Sequence, residues 1–530
     1  MNLAGTSFIG SARGQLGGAT FHAQNPATGQ QLDPPYASVS AAEVNRAAEL
    51  AAQAAPALAA ASGKAKAALL GRIADGLDAL QQPLADRAHL ETALPMPRLL
   101  GEVSRTSGQL RTFAALVEEG SWVDARLDTP QPDRKPLPRP GLRSILRPVG
   151  PVAVFVPSNF PLAFSAAGGD TASALAAGCP VIVKAHPAHP GTSEMVAEVI
   201  QRAIYESGFP EGVFSLLYDA GIEAGAALVR HPLIEAVAFT GGLRAGRALM
   251  DIAAARPRPI PCFTEMASSN PVFILPGALA QNAETLAQGL YNSFTLAAGQ
   301  MCTKPGLVLL PNQPDAEPFT AKLSALVGAA QPFTLLTAGI ARDYSRLAAH
   351  RSTQASVAAQ AAAAENAPAC PANAQLFSTS LEEFLAQPEL ADEVFGPDTL
   401  LIHCPSAADY LRAAEALDGH LTATLLGTDA DLEAHRDLIA VLERKAGRLI
   451  FNGFPTGVEV APAMVHGGPY PATSDARLTS VGTGAILRFG RPVCFQNFPD
   501  ALVPEELQAA NPLGILRLIN GAPTREALPA

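Results

Sequence analysis

Cysteine, charge and long apolar runs are all scarce in this sequence. The 530 residues include six cysteines, which lie far apart and form no Cys-x-x-Cys pair. That spacing disfavours a disulfide framework and a zinc cluster, and it indicates a reducing compartment and no metal site. No stretch approaches the roughly 18 apolar residues of a membrane span, and the first residues lack the pattern of a signal peptide. We therefore expect a cytoplasmic protein without a membrane partner.

Charge of either sign is limited, and positive charge is the rarer kind. Charged residues make up 16% of the chain, with 48 acidic and 37 basic side chains and a formal net charge of −11. Nucleic acids and anionic membranes select for clustered Lys and Arg, so this balance argues against both as partners. The hydrophobic share of 48% is enough for a large buried core.

The central part of the chain alternates short apolar segments with helical ones. Strands are predicted at 152–156, 180–184, 213–217, 235–240 and 260–266, each followed by one helix or turn. Buried strands joined by single helices form right-handed crossovers. The pattern therefore predicts an α/β fold with a doubly wound, Rossmann-like parallel sheet.

The regions on either side of this sheet have their own patterns. Residues 41–120 read as successive helices, and Ser40 with Glu43 matches a capping box at the start of the first. A second α/β region is predicted from about residue 270 to 480, and within it the alanine-rich stretch 353–369 favours a helix.

Polar residues follow several of the predicted strands, at the edge where parallel sheets bind ligands. Asn159 can donate a hydrogen bond to a developing oxyanion, although a simple turn asparagine fits equally. Lys184 can reach a ribose or a phosphate, or can extend from the strand end into solvent. Thr240, Gly241 and Gly242 precede a helix N-terminus, which suits a pyrophosphate, but the turn is not a GxGxxG fingerprint.

Two residues are candidates for covalent chemistry. Cys302 lies in a loop with the sequence GQMCT, where a thiolate can act as a nucleophile; the alternative is a buried structural cysteine, which is the common role of a free thiol. Glu265 ends an apolar strand, where burial is expected to raise its pKa and to make it a base near neutrality. The alternative for Glu265 is a solvated carboxylate at a strand end.

Six motifs occur in the order and spacing of the aldehyde dehydrogenase superfamily, and the resemblance covers about residues 20 to 490. They are PSNFPL, VIVKAHP, FTGGLRAG, TEMASSNP, GQMCT and EVFGP. The variants VKAHPAHPGTSE and GQMCTKPGLV are similar to a bacterial branch that contains α-ketoglutaric semialdehyde dehydrogenases and a luminous-bacterial fatty aldehyde dehydrogenase.

The resemblance implies a role for each matching residue. It makes Cys302 the nucleophile, Glu265 the general base, and Asn159 an oxyanion donor beside the Cys302 amide. For the cofactor, it implies contacts of Lys184 with the adenosine ribose, of Thr240 and Gly241 with the pyrophosphate, and of Glu393 and Phe395 with the nicotinamide ribose.

Three positions depart from the family pattern around the cofactor. Ser158 stands where an aromatic residue is usual, and Gly242 where a serine is usual. Pro187 replaces a Glu that repels the 2′-phosphate of NADP in many NAD-preferring relatives. With Lys184 and His186 nearby, we expect NADP or NAD as cofactor, with NADP slightly favoured.

The implied activity is oxidation of an aldehyde to a carboxylic acid through a cysteine thiohemiacetal and a thioester. The substrate implied is 2,5-dioxovalerate, which would give 2-oxoglutarate. Alternatives are a fatty or aliphatic aldehyde dehydrogenase, a CoA-acylating or phosphorylating enzyme, and a catalytically silent ligand-binding relative. For the substrate carboxylate, Arg477 is the nearest basic candidate, although a surface arginine is the simpler interpretation.

The resemblance also implies a division of the chain and an assembly. Residues 1–125 and 148–266 would form the dinucleotide-binding domain, and 267–480 the catalytic domain. Residues 126–147 and 481–530 would form an oligomerisation element that bridges to another subunit. We therefore expect a homodimer or homotetramer.

Overall fold

The computed structural model describes residues 3–362 and 366–528. Its N-terminal region contains four short strands and four long helices. The strands are β1 (Phe8–Ile9), β2 (Ala12–Arg13), β3 (Thr20–Gln24) and β4 (Gln31–Ala37), and the helices are α1 (Ala41–Ala60), α2 (Gly63–Ala79), α3 (Gln81–Thr92) and α4 (Met96–Glu119). The predicted capping box is present: Ser40 accepts from the amide of Glu43, whose side chain accepts from the amide of Ser40.

A hairpin separates these helices from the first large sheet. Its strands are β5 (Arg126–Asp128) and β6 (Leu142–Pro148), and the proline-rich segment between them is not helical. Proline lacks an amide hydrogen and interrupts helices, which agrees with the absence of a helix here. The segment is not extended as its composition suggests, because it folds back through an antiparallel bridge between Gln131 and Arg139.

The first large sheet has the predicted doubly wound topology. Its parallel strands are β7 (Val152–Phe155), β8 (Val181–Lys184), β9 (Phe214–Leu217), β10 (Ala236–Thr240) and β11 (Cys262–Glu265), alternating with α5 (Gly169–Ala177), α6 (Pro190–Glu206), α7 (Glu223–Arg230) and α8 (Leu243–Ala254). The strand order is β11-β10-β7-β8-β9-β1-β2. Apolar clusters cover both faces, which explains why these strands are continuous apolar runs rather than alternating ones.

The second large sheet carries the rest of the α/β region. Its order is β15-β17-β18-β13-β12-β19-β20. The strands of this region are β12 (Val272–Ile274), β13 (Leu307–Pro311), β14 (Phe333–Thr334), β15 (Ser356–Gln360), β16 (Pro371–Ala372), β17 (Gln375–Ser380), β18 (Asp398–Cys404), β19 (His420–Leu426) and β20 (Ala446–Phe451). The helices are α9 (Pro276–Thr295), α10 (Glu317–Gly328), α11 (Ala338–Arg351), α12 (Leu381–Ala386), α13 (Ala407–Ala416), α14 (Asp429–Ala434) and α15 (Arg436–Leu442).

One predicted element is wrong in this region. The stretch 353–369 was expected to be a helix, but β15 occupies residues 356–360 and pairs antiparallel with β17; residues 363–365 lie outside the described residues. Hydrogen bonding to an existing sheet edge outweighs the helix propensity of alanine, which is worth well under about 1 kcal/mol per residue.

A third sheet joins the hairpin of β5 and β6 to strands near the C-terminus. It contains β21 (Gly490–Gln496), β22 (Arg517–Ile519) and β23 (Ala522–Thr524) in the order β21-β6-β5-β22-β23. Segments 126–147 and 481–530, which the sequence predicts to act together, thus share one sheet. None of the described helices is long and apolar enough to cross a membrane.

Candidate active site

Cys302 lies in a tightly wound loop between α9 and β13. Ala297, Ala298 and Gly299 have φ values of 53°, 58° and 71°, a left-handed path that costs energy for residues with a Cβ. A Cβ on Gly299 would lie 2.0 Å from the carbonyl oxygen of Gly396. Only glycine therefore lets the cysteine loop contact the segment that carries Glu393 and Phe395.

The backbone on the other side of the loop is held by a buried amide. Asn270 Nδ2 lies 2.8 Å from the carbonyl oxygen of Cys302 and 3.0 Å from that of Lys304. Asn270 follows β11 on the chain segment that leads into β12. One side chain thus ties the cysteine loop to the junction of the two large sheets.

A histidine connects the predicted nucleophile to the predicted base. The Nε2 atom of His466 lies 3.5 Å from Sγ of Cys302 and 3.0 Å from Oε1 of Glu265. Ser480 donates its hydroxyl to the other oxygen of Glu265. Cys302 is partly exposed, whereas His466 and Glu265 are buried. The structure thus brings the predicted residues Cys302 and Glu265 together through His466, which no sequence motif singles out.

The pair formed by His466 and Glu265 changes the protonation of both. Burial by itself lowers the pKa of His466, but the carboxylate of Glu265 and the sulfur of Cys302 outweigh it and raise the pKa above its usual value. Burial raises the pKa of Glu265, yet His466 and the Ser480 hydroxyl more than compensate and the pKa is lowered. The sequence-based expectation of a raised Glu265 pKa is therefore wrong, because the carboxylate is paired rather than surrounded by apolar groups alone.

The thiol, imidazole and carboxylate are also a possible metal donor set. Their ligand atoms lie within 4.8 Å of one another, and these atom types bind Zn²⁺ in proteins. A nucleophilic role requires a free thiolate, so the absence of a metal stays a prediction from the sequence.

Asn159, the predicted oxyanion donor, contacts the cysteine loop. Its Nδ2 donates to the carbonyl oxygen of Gln300 at 3.0 Å, two residues before Cys302 in the loop. An amide carries two hydrogens, so one remains for an oxygen bound at Cys302. The backbone carbonyl of Asn159 accepts a hydrogen bond from Arg98 at 2.6 Å, which holds this turn in place.

The carboxyl edge of the first sheet presents the predicted phosphate turn. Helix α8 follows Gly242 and has no side-chain cap, so its first amides lack intrahelical partners. Gly242 is exposed, but the amide of Gly241 already donates to the carbonyl oxygen of Glu265 at 3.0 Å. A Cβ on Gly241 would lie 2.6 Å from the ring of Phe239. The uncapped, exposed helix start fits a pyrophosphate, with Gly241 acting through its small size rather than its amide.

Lys184 and His186 lie at the end of the neighbouring strand, β8. Lys184 Nζ donates to the carbonyl oxygen of Asp219 at 2.7 Å, and burial lowers its pKa to about 8 while Asp219 opposes that shift. His186 stacks on His189 at 5.6 Å between ring centroids, and burial lowers its pKa. His186 is therefore neutral near pH 7, and Lys184 supplies the positive charge at this strand end.

The segment with Glu393 and Phe395 is fixed by a buried charge cluster. Lys304 and Arg351 both contact the Asp398 carboxylate at 2.6 Å, and Lys304 also donates to the carbonyl of Val394 at 2.8 Å. Burial raises the pKa of Glu393 to about 7, against the effect of Lys304. Lys304, which lies two residues after Cys302, thus connects the cysteine loop to the segment that carries Glu393.

Arg477 does not face the cysteine. It pairs with Asp475 and its side chain is 87% exposed, so the interpretation as a surface arginine is the correct one. Three other arginines lie closer to the site, namely Arg98, Arg105 and Arg448. Burial lowers the pKa of each, and the charge of Cys302 is among the effects that raise it. Sequence reasoning did not single them out.

These features define a class of protein. A doubly wound parallel sheet offers an uncapped helix start for a dinucleotide and a carboxylate at the end of β11, and the segments that follow present a thiol and an imidazole beside that carboxylate. Together they are the parts of a nucleotide-dependent oxidoreductase that acts through a covalent cysteine adduct.

The chain belongs to the aldehyde dehydrogenase family, whose model matches residues 14–469. The alpha-ketoglutaric semialdehyde dehydrogenase 2 of Azospirillum brasilense is 49% identical to it over 98% of this chain and 99% of the relative. The alpha-ketoglutaric semialdehyde dehydrogenase of Acinetobacter baylyi is 45% identical over 98% and 99%. The resemblance inferred from the six motifs is thereby confirmed, and the chain is an NAD(P)-dependent aldehyde oxidoreductase.

Solved structures confirm the predicted fold. Betaine aldehyde dehydrogenase from Staphylococcus aureus, in complex with NAD⁺, matches with a TM-score of 0.81 and 19% identity, covering 93% of this chain and 95% of that one. PnpE from Pseudomonas sp. WBC-3 matches with a TM-score of 0.79 and 22% identity, covering 95% and 99%.

Proposed function

We propose that this chain oxidises 2,5-dioxovalerate to 2-oxoglutarate, with Cys302 as the nucleophile. The observation that carries the chemistry is the position of His466 Nε2, 3.5 Å from the cysteine sulfur and 3.0 Å from Glu265. The choice of substrate is supported by the two full-length relatives at 45% and 49% identity, both α-ketoglutaric semialdehyde dehydrogenases by name.

The first half of the reaction forms a covalent adduct. A protonated His466 stabilises negative charge on the Cys302 sulfur, which attacks the aldehyde carbon while the carbonyl electrons move to oxygen. The Asn159 side-chain amide and the Cys302 backbone amide donate to that oxyanion. A bound nicotinamide cofactor would supply the hydride acceptor for this adduct.

The second half releases the acid. Cys302 now holds the acyl group as a thioester, and Glu265 takes a proton from a water whose oxygen bonds to the acyl carbon. The carbon–sulfur bond breaks, and His466 again stabilises the departing thiolate. In total, aldehyde, water and NAD(P)⁺ become carboxylate, NAD(P)H and two protons, and the aldehyde carbon loses two electrons.

The cofactor is held by the residues at the carboxyl edge of the first sheet. Lys184 and His186 would contact the adenosine ribose, while Thr240, Gly241 and Gly242 would receive the pyrophosphate. Glu393 and Phe395 would contact the nicotinamide ribose. Pro187 in place of an acidic residue supports the use of NADP at least as well as NAD.

The domain boundaries and the assembly belong to the same proposal. Residues 1–125 and 148–266 bind the cofactor, 267–480 carry the cysteine, and 126–147 with 481–530 connect subunits of a cytoplasmic homodimer or homotetramer. The support is the five-stranded sheet, whose outer strand β21 is mostly exposed along its length and would otherwise be an open edge. Light scattering should give at least twice the 54.7 kDa of one chain; a stable single-chain mass at micromolar concentration contradicts it.

The test of the function is a panel of aldehydes with NADP⁺ or NAD⁺, followed by absorbance of the reduced cofactor. We expect the highest kcat/KM with 2,5-dioxovalerate, no stimulation by CoA or phosphate, and no turnover by Cys302→Ala, which should bind cofactor as the unmodified enzyme does. A higher kcat/KM for hexanal would instead identify an aliphatic aldehyde dehydrogenase. Absence of turnover with every aldehyde would identify a silent relative.

A further inference from the structure

Three arginines from two elements converge beside the cysteine. Arg98 and Arg105 lie seven residues apart on α4, so they share one face and are separated by about 10.5 Å along the helix axis. Arg448 lies on β20, the edge strand of the second large sheet. All three side chains are half-buried.

The two arginines of α4 lie along a pair of phenylalanines that continue from the oxyanion donor. The Arg98 guanidinium lies 4.9 Å from the Phe160 ring, and that of Arg105 lies 5.9 Å from the Phe164 ring. The two rings are 5.1 Å apart. Arg98 also donates to the Asn159 carbonyl oxygen. Arg98 and Phe160 therefore lie at the end of this side-chain row that is nearer the proposed oxyanion donor, and Arg105 and Phe164 lie at the far end.

The far end is closed by a loop that two arginines hold. Arg448 donates to two backbone carbonyls of the loop 455–458, at 2.8 and 3.1 Å. Arg105 donates to a third carbonyl of the same loop. The hydroxyl of Thr456 in this loop lies 2.7 Å from that of Ser293 on α9. Two cations and two hydroxyls therefore lie around one short segment.

The protein balances the positive charge at this place only in part. Among the residues that the structure describes, Glu102 is the one carboxylate paired with any of the three arginines, at 3.9 Å from Arg98 Nε. Its Oε1 is already bound to the amides of Leu162 and Ala163. Each arginine keeps one buried nitrogen without a hydrogen-bond partner in the described structure. Burial lowers the pKa of all three arginines. Glu102 and then Cys302 oppose that shift for Arg98, Glu102, Cys302 and Glu459 oppose it for Arg105, and Cys302 opposes it for Arg448. A bound anion would therefore offset part of the cost of burying these cations.

We propose that Arg105 and Arg448 bind the carboxylate at the far end of the aldehyde substrate. Arg98 adds a third positive charge between them and the thiol. The proposal rests on the proposed function and specifies how that site selects its substrate. A guanidinium presents a planar fork that matches a carboxylate. The hydroxyls of Thr456 and Ser293 supply donors for the neighbouring 2-oxo group. The preferred class is thus aldehydes with a distant carboxylate, and 2-oxo acids among them.

The first test compares 2,5-dioxovalerate with pentanal, which has the same five-carbon chain and no carboxylate. In the double variant Arg105→Met/Arg448→Met, we expect kcat/KM for 2,5-dioxovalerate to fall at least a hundredfold, mainly through KM, and that for pentanal to change less than threefold. Arg105→Lys should give an intermediate loss, because it keeps the charge without the fork. Arg477→Met, which removes an exposed surface arginine, should change kcat/KM for neither substrate.

Equal losses for both substrates would overturn the proposal, because the arginines would then only hold the loop. The unmodified enzyme separates this failure from failure of the proposed function. If it oxidises neither aldehyde, the function is wrong; if it oxidises both with equal kcat/KM, the enzyme assignment stands and the carboxylate subsite is wrong.

A second measurement does not depend on turnover. In a Cys302→Ala background, titration calorimetry with 2-oxoglutarate should show a Kd at least thirtyfold weaker after Arg105→Met/Arg448→Met, with melting temperatures compared to verify folding. If the double variant does not fold, the same comparison is made with Arg105→Lys, which should weaken binding at least threefold. An unchanged Kd in a folded variant overturns the proposal.

Discussion

His466 and Glu265 form a buried pair in which Nε2 lies 3.0 Å from Oε1. The same nitrogen faces the Cys302 sulfur at 3.5 Å, while Nδ1 of His466 has no hydrogen-bond partner in the described structure. A single N–H thus faces both the nucleophile and the base. This differs from a relay in which a carboxylate and a nucleophile contact opposite nitrogens of one ring.

Replacing the histidine should change the pH dependence of the reaction. In His466→Gln no imidazolium lies beside the sulfur, so the negative charge on the nucleophile loses its stabilising partner. We expect kcat/KM to fall at least tenfold at pH 7 and the loss to become smaller as pH rises. In the unmodified enzyme at saturating cofactor, activity should decline at alkaline pH, where His466, whose pKa is raised to about 10, loses its proton. Equal losses across the pH range would remove His466 from thiol activation.

Replacing the carboxylate should separate the two halves of the reaction. Glu265→Gln keeps the size and one hydrogen-bond acceptor but cannot take a proton from water. Stopped-flow measurements should show a burst of reduced cofactor close to one per active site, followed by a steady state at least tenfold slower. Loss of the burst as well would assign Glu265 to activation of the thiol, through His466.

Asp398 should be essential for stability because its carboxylate pairs with two buried cations. It contacts Lys304 and Arg351 at 2.6 Å each, and all three side chains are nearly inaccessible. Asp398→Asn leaves both cations buried without their carboxylate partner, and breaking a buried pair costs about 3–5 kcal/mol. Denaturant unfolding should show that loss in the free energy of unfolding. The control variant Asp343→Asn, at an exposed position, should leave the free energy of unfolding unchanged. A stability equal to that of the control contradicts the predicted role of the cluster.

The cofactor preference should respond to position 187. Pro187→Glu introduces a carboxylate at the proposed adenosine-ribose site, where it would repel a 2′-phosphate and accept hydrogen bonds from ribose hydroxyls. We expect the ratio of kcat/KM for NADP to that for NAD to fall at least tenfold, a change of about 1.4 kcal/mol. In the unmodified enzyme, a preference for NAD of more than about tenfold would contradict the prediction that NADP is accepted well.

The binding of NADP should also depend on pH through Lys184. Burial lowers the pKa of Lys184 to about 8, so the side chain is protonated below that pH and loses its charge as pH rises through it. The Kd of NADP, measured by fluorescence titration in Cys302→Ala, should therefore weaken between pH 7 and pH 9 by several-fold. The Kd of NAD, which lacks the 2′-phosphate, should change less. Identical pH profiles would place Lys184 away from the phosphate.

Local sequence was sufficient for the elements that line the cofactor edge. The strands at 152–155, 181–184 and 236–240 are short runs of buried apolar residues, and polar residues at their ends necessarily meet at one edge of a parallel sheet. The motifs also identified the family and the cysteine loop. The alanine-rich stretch was misjudged because pairing with β17 decides its conformation, and that strand lies beyond the local sequence.

The amino-acid sequence alone establishes the chemistry that is available: a thiol in a glycine-containing loop, a carboxylate at a strand end, and an amide and a lysine at neighbouring strand ends. How these groups are charged and what they face depends on tertiary packing. His466 lies 164 residues after Cys302, in a segment without regular periodicity, so no local pattern connects the two. Its pairing with Glu265 reverses the pKa shift expected from burial alone. Electrostatic interactions depend on distance in space and on burial, and both are set by packing between elements that are remote in the chain.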